Sequence, residues 1–311
     1  MAVNNSLQKS QKRISIGSYL TGDAVKQRIN QVIGGKDGQR FISAVVSAVQ
    51  TNPGLQECTN QSILSAALLG ESLKLSPSPQ LGQYYMVPFN DRERGKVAQF
   101  QLGYKGYIQL AIRSGQYKKL NVLAIKDGEL IKFDPLNEEI EVRLIEDEEA
   151  REAAETIGYY AMFEYTNGFR KAIYWSKKKM LAHADKYSPA FSANGGTVKT
   201  RYGEKTKVSY SDYVAGNFDP KDAWMYSSFW YKDFDGMAYK TMLRQLISKW
   251  GIMSIDMASA IDADMAVIND DGTKDYVDND PDVIDMEPVS EPVQEAPAED
   301  IQSALFGGDG Q

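Results

Sequence analysis

A chain of 311 residues with 42% hydrophobic side chains can bury one large core or two ordinary ones. Its formal net charge of −7 averages two unlike parts: residues 256–311 carry 16 acidic residues against one base, and residues 1–255 carry 34 bases against 26 acids. The single cysteine, Cys58, excludes a disulfide framework, no apolar run nears the roughly 18 residues of a membrane span, and the N-terminus lacks the apolar centre of a secretion signal.

These features predict a cytoplasmic protein whose basic body meets a polyanion while its acidic end does something else. Residues 1–20 are polar with Lys9, Lys12 and Arg13, and read as a flexible arm. Helical patterning starts near Asp23 (Val25, Ile29, Val32, Ile33) and stops at Gly34-Gly35. Phe41–Val49 reads as a second helix, and Thr59 caps a third that carries Ile63, Leu64, Ala67 and Leu68 before Ser76-Pro77-Ser78-Pro79.

Strand patterning begins at Leu81. Tyr84–Phe89 and Val97–Leu102 flank a polar link and read as a hairpin, followed by a short helix opened by Gly103-Tyr104-Lys105-Gly106. Leu120–Ile125 and Leu130–Phe133 flank Asp127-Gly128, a second expected hairpin; Ile140, Val142 and Leu144 alternate in a further strand. Asn167-Gly168 between Ile157–Tyr165 and Phe169–Trp175 is the strongest hairpin signal in the chain. Ser176 is placed to cap a helix over Lys177–Tyr187, and Ser188–Ala223, rich in Gly, Ser, Asn and Tyr, reads as a long loop.

Trp224–Gly251 is the stretch around which the rest is organised. Tyr239, Met242, Leu243, Leu246, Ile247 and Trp250 share an arc of about 140° at helical spacing. Lys240 and Arg244 lie i, i+4 on another face, where like charges repel by a few tenths of a kcal/mol in an isolated helix. Such a pair makes sense if an anion lies across it. Helices, then antiparallel strands, then a long helix define an α+β fold: an antiparallel sheet packed by a long helix, with an N-terminal helical layer. The expected division is 1–20 arm, 21–255 folded functional core, and 256–311 a disordered acidic tail.

Several chemistries find no support in the residues. No G-x-x-x-x-G-K-[ST] occurs, so an ATPase is not expected. One histidine and one cysteine do not make a usual zinc site, and His183 and Cys58 read as structural. The pairs Asp127/Glu129 and Asp233/Asp235 match no metal-cleavage pattern; no cofactor, metal or catalytic residue is expected. Bases interleaved with aromatics are present instead, the pattern that holds single-stranded nucleic acid by phosphate charge and base stacking. Tyr104, Lys105, Tyr107, Arg113, Tyr117, Lys118 and Lys119 form one stretch; Tyr174, Trp175 and Lys177–Lys179 a second; Trp230, Tyr231, Lys232, Lys240 and Arg244 a third. The glycines beside Lys105 read as room for a backbone to approach closely.

Leu81-Gly-Gln-Tyr-Tyr-Met-Val-Pro-Phe89, Phe100-Gln-Leu-Gly-Tyr-Lys-Gly-Tyr107 with Arg113-Ser-Gly-Gln116, and Phe234-Asp-Gly-Met-Ala-Tyr-Lys-Thr-Met-Leu-Arg244 resemble the RecT family of phage and prophage single-strand DNA annealing proteins. Leu73-Lys-Leu-Ser-Pro77 fits upstream, so the resemblance runs in order over roughly residues 20–255. It implies the antiparallel sheet and long helix of the wider group that includes phage Red beta. It also implies ATP-independent annealing of complementary strands in recombination, in rings or helical filaments, beside a 5′→3′ exonuclease and, as a further candidate partner, a host single-strand binding protein. Tyr104, Lys105 and Arg113 lie in one family motif, and Lys240 and Arg244 in another, where Gln245 departs from the usual basic or aliphatic residue. Charge and stacking logic adds Tyr107, Lys118, Lys119, Trp230 and Lys249 to the expected DNA contacts. The acidic end reads either as a solvated spacer or, through Ile301, Leu305 and Phe306, as a partner-binding segment. The competing functions are passive coating of single strands without annealing and, behind it, a nuclease.

Overall fold

A computed structural model describes residues 14–276 apart from 92, 138, 201 and 202. Ser15 caps α1 (Ile16–Thr21) by accepting from the Ser18 N–H. After it come α2 (Asp23–Ile33), α3 (Gly35–Gln50) and the short α4 (Pro53–Gln56). Thr59 caps α5 (Asn60–Ser72) as expected, accepting from the Ser62 N–H. These helices pack on the hairpin β1 (Tyr84–Asp91) and β2 (Gly95–Leu102), paired from Tyr84↔Leu102 to Asp91↔Gly95. α6 (Tyr104–Ser114) follows directly and ends on Gly115, whose φ of 68° is the left-handed conformation that closes many helices.

The second half is built on a three-stranded antiparallel sheet of β3 (Tyr117–Lys126), β6 (Thr156–Tyr165) and β7 (Arg170–Ser176), ordered β3-β6-β7. Asn167-Gly168 turns β6 into β7 as expected, with Gly168 at φ 87°. Asp127-Gly128 also turns the chain, yet the strands on either side of it do not pair with each other, contrary to expectation. β3 pairs with β6, and β4 (Leu130–Asp134) pairs with β5 (Glu139–Val142) in a separate hairpin. Register explains the choice: β3 sets Leu120, Val122 and Ala124 opposite Phe163, Ala161 and Tyr159, one continuous apolar face, whereas β4 carries exposed Ile131 and Phe133. α7 (Glu148–Ala153) then returns the chain, and buried Glu129 accepts from Arg151 Nε at 2.6 Å to fasten it.

Ser176 caps α8 (Lys177–Tyr187). The expected long loop after it is instead folded: β8 (Gly196–Thr200) pairs with β9 (Gly203–Lys207), α9 (Tyr210–Val214) follows, and Pro220–Tyr226 forms a 3-10 turn. Aromatic contact holds it. Phe191, Tyr210, Tyr213, Phe218, Tyr226 and Tyr231 meet ring to ring at 4.8–6.3 Å. The stretch expected as one helix from Trp224 is likewise divided. α10 (Phe229–Lys232) ends at Asp233, which caps α11 (Phe234–Trp250) by accepting from the Gly236 N–H at 2.9 Å.

α11 joins two cores. Leu243 and Ile247 enter the core of the N-terminal helices and β1–β2, while Ala238, Met242 and Leu246 enter the core beneath the three-stranded sheet. The expected single apolar stripe is therefore two stripes at i, i+4 spacing, serving different layers.

The largest departure lies after the helix. Residues 256–276, expected as the start of a disordered tail, carry α12 (Ile255–Ala263) and the short paired strands β10 (Val267–Ile268) and β11 (Lys274–Asp275). Met257, Ala260, Ala263 and Ala266 are buried, and Phe100 bridges to Ala266 across the edge of β2. Apolar spacing outweighs the acidic count here, because most of those acids have partners: Asp264 with Lys240 and Arg244, Asp262 with Lys274, Asp270 with Arg28 and Asp275 with Arg94. No helix among the described residues is long and apolar enough to cross a membrane. Residues 1–13 and 277–311, and with them Ile301, Leu305 and Phe306, lie outside the described residues.

Candidate nucleic-acid interface

The anion that the Lys240/Arg244 pair calls for is supplied by the protein itself. Asp264, at the end of α12, is fully buried and accepts from Lys240 Nζ at 2.9 Å, Arg244 Nη1 at 2.6 Å and the Leu102 N–H at 2.9 Å. The backbone around it is over-determined. Met265 sits at φ 71°, its N–H donates to Phe100 O, its carbonyl accepts from Gln99 Nε2, and Ala266 O accepts from the Phe100 N–H. A non-glycine residue at positive φ persists only where its surroundings impose it. The Lys240 side chain is 10% exposed and that of Arg244 38%, so the lysine is enclosed and the arginine keeps one edge toward solvent. That edge faces an open groove with Ser248, Met253, Ile261, Asp262 and Tyr276.

Lys105 stands on the first turn of α6 with its charge outward and no ion-pair partner among the described residues. The glycines around it do not leave room for a foreign backbone. A Cβ on Gly103 would lie 2.2 Å from Gly82 O, and one on Gly106 would lie 2.1 Å from Gln83 O, so the backbone that approaches is the protein's own residues 82–83. This packing fixes the start of α6 against β1. Tyr104 is half-buried, edge-on to Tyr239 at 5.6 Å.

The other expected contacts fall in separate neighbourhoods. Tyr107 is wholly inside the first core, where burial raises its hydroxyl pKa well above the ordinary value, and no ring face is offered to a base. Trp230, 5% exposed, is likewise enclosed among Phe191 and Phe234. Arg113 is on the surface, and its Nη2 donates to Leu73 O at 2.6 Å, closing the end of α5. Lys118 and Lys119 share Glu164 at 2.6 and 3.5 Å, and the Lys118 ammonium, with Lys119 behind it, holds that carboxyl below its usual range. Lys249 is exposed at the last turn of α11. In the second stretch, Lys177 pairs with Glu155 and Lys179 lies over the Trp175 ring at 4.3 Å. His183 packs between Trp175 and Tyr187, with burial, and then the Arg244 charge, lowering its pKa. Cys58 is buried against α4, its Sγ 3.5 Å from Gly54 O.

Two groups escape the sequence reading. Asp264 is hidden because a run of acids looks like solvated tail; the apolar spacing Met257, Ala260, Ile261, Ala263 is the signal that would have found its helix. Tyr85 and Phe229 make the other, a ring pair at 5.6 Å in a notch beside Tyr104; their sequence neighbours carry no periodicity that marks them.

An α+β body with two motif cations on its long helix and exposed cations on α6, β3 and the end of α11 has the charge pattern of a nucleic-acid-binding class of protein. The RecT family profile matches residues 39–282, and the chain belongs to that family. It is 35% identical over 309 residues to the uncharacterized protein YqaK of Bacillus subtilis (strain 168), covering 96% of this chain and 90% of that one. It is 28% identical over 233 residues to protein RecT of Escherichia coli (strain K12), covering 73% of this chain and 71% of that one. Membership brings a role in DNA binding and single-strand annealing in recombination. The match to residue 282 takes in α12 and Asp264, beyond the limit the sequence motifs had set.

Proposed function

We propose that this protein anneals complementary DNA strands without nucleotide hydrolysis, as a homo-oligomer laid along a single strand in the cytoplasm. One observation carries the reading: the family match spans both motifs and the whole scaffold that holds them, α6, the three-stranded sheet, α11 and α12. Pairing of complementary strands is downhill, so the protein needs only to hold one strand extended with its bases free to test a second. The cations that keep charge toward solvent are the candidates for phosphate: Lys105, Arg113, the outer edge of Arg244, Lys118, Lys119 and Lys249. Lys240 belongs to the scaffold that positions Arg244. A 5′→3′ exonuclease that exposes the strand is the expected partner.

Mixing complementary labelled oligonucleotides with and without protein, in the absence of nucleotide, tests the reading. Faster pairing with protein supports it. Binding with no acceleration replaces it by passive coating, and magnesium-dependent loss of the labelled strand replaces it by a nuclease.

A further inference from the structure

The notch between the start of α6 and the start of α11 is built unlike a core. Tyr85, Tyr104, Phe229 and Met237 make its walls, and Gln101, Asp233 and Lys240 also line it. α10 places three aromatic residues in succession and treats them differently: Trp230 and Tyr231 are each 5% exposed, whereas Phe229 is 40% exposed and rests on Tyr85. An apolar ring left outside by a helix that buries its two neighbours is a surface in search of a flat partner.

The charges around the notch specify that partner. Gly82, at φ 59°, presents bare backbone, over which the Lys105 stem and the Tyr85 hydroxyl both fold: a Cβ there would lie 3.4 Å from Lys105 Cδ and 3.0 Å from the Tyr85 hydroxyl oxygen. The ammonium of Lys105 thus stands near the rim, 5.9 Å from the Tyr104 ring centre. Inside, the Asp233 carboxylate caps α11, and with burial ahead of it as the larger cause it raises the Tyr85 hydroxyl pKa. With Lys240 already engaged by Asp264, the Asp233 carboxylate inside repels phosphate, while the Lys105 ammonium outside attracts it. The group that satisfies both is an uncharged π-system whose own phosphate lies a few ångströms away, a nucleobase of the bound strand.

We infer that Phe229, backed by Tyr85, stacks one base of the single strand whose phosphate Lys105 holds, a contact indifferent to base identity because every base has a π-face. Tyr85 and Phe229 already touch, so the base stacks on the outer face of Phe229 and does not intercalate between them. The inference rests on the single-strand reading above.

The test compares full-length wild type, Phe229→Ala and Phe229→Trp in binding to labelled oligothymidylate and to an abasic oligomer of equal length. Loss of one stack at 1.4 kcal/mol per tenfold predicts a drop of about 5- to 140-fold in affinity of Phe229→Ala for oligothymidylate. Affinity for the abasic strand stays unchanged, and Phe229→Trp restores the difference between the two. The abasic arm also controls for folding, since a collapsed variant loses both ligands. If Phe229→Ala binds both strands as wild type does, or loses both equally while its circular dichroism is native, the inference is overturned and the annealing reading stands. If wild type binds neither strand, both fall.

Discussion

The two motif sites of this protein, Lys240/Arg244 on α11 and Lys105 on α6, look alike in sequence and differ in the fold. At the first, an enclosed carboxylate takes three donors at 2.6–2.9 Å and the lysine is sealed. At the second, glycines pack the backbone tightly while the lysine charge stays outside. A like-charged pair on a helix face demands an anion, but the demand does not say whose. Here the chain supplies it from the end of α12, so Lys240 is taken up by the scaffold while Lys105 keeps its charge toward solvent.

That comparison breaks most readily at Asp264. Asp264→Ala leaves Lys240 enclosed without its counter-charge, and removing one partner of a buried pair costs about 3–5 kcal/mol. Urea unfolding should show it as a lowered midpoint, and a change below about 1 kcal/mol would mean the cluster is not closed. Next in size is Gly103→Ala, whose Cβ meets the carbonyl of Gly82. Overpacking of this kind costs about 1–3 kcal/mol, and the variant should weaken oligonucleotide binding as well, because Lys105 and the notch shift together.

A second enclosed carboxylate gives a pH test. Glu129 is enclosed; burial pushes its carboxyl up, but Arg151 and the backbone N–H groups of Lys126 and Ile145 outweigh it and hold it below the ordinary value. With the folded pKa depressed, the stabilisation is present above the unfolded value near 4.3 and is lost as pH falls through the folded value. Acid titration of Glu129→Gln should lack this portion of the wild-type acid transition, whereas Lys105→Ala should retain it. The smallest stability effect belongs to Lys105→Ala itself, within about 0.5 kcal/mol of wild type by urea unfolding.

Much of this was legible in the residues. Caps at Thr59 and Ser176, the Asn167-Gly168 turn and the polar link between β1 and β2 are local signals, and each forms as expected. What sequence hides is non-local. Asp127-Gly128 is a turn whichever strands pair, and only the apolar face shared with β6 decides that β3 and β4 part. The segment after Tyr187 is held by ring contacts of Tyr210 and Tyr213 with the distant Tyr231, which no period announces. The same holds at the site: the motifs mark Lys105, Lys240 and Arg244, but burial separates their roles, and it encloses Tyr107 and Trp230 although their residue types suit stacking. The boundary at 255 fails because the acidic excess of 256–311 hides the apolar spacing of α12, and because Asp262 near its end and Asp264 at its cap have basic partners.

The central claim is that DNA meets the charge at Lys105 and not the one at Lys240. The salt dependence of oligothymidylate binding tests it most directly, since each phosphate neutralised on a single strand contributes about −0.7 to the log–log slope. Lys105→Ala should flatten the slope by about 0.7, and Lys240→Met, compared at equal folded fraction, should leave it at the wild-type value. A flattened slope for Lys240→Met with an unchanged one for Lys105→Ala would contradict the account.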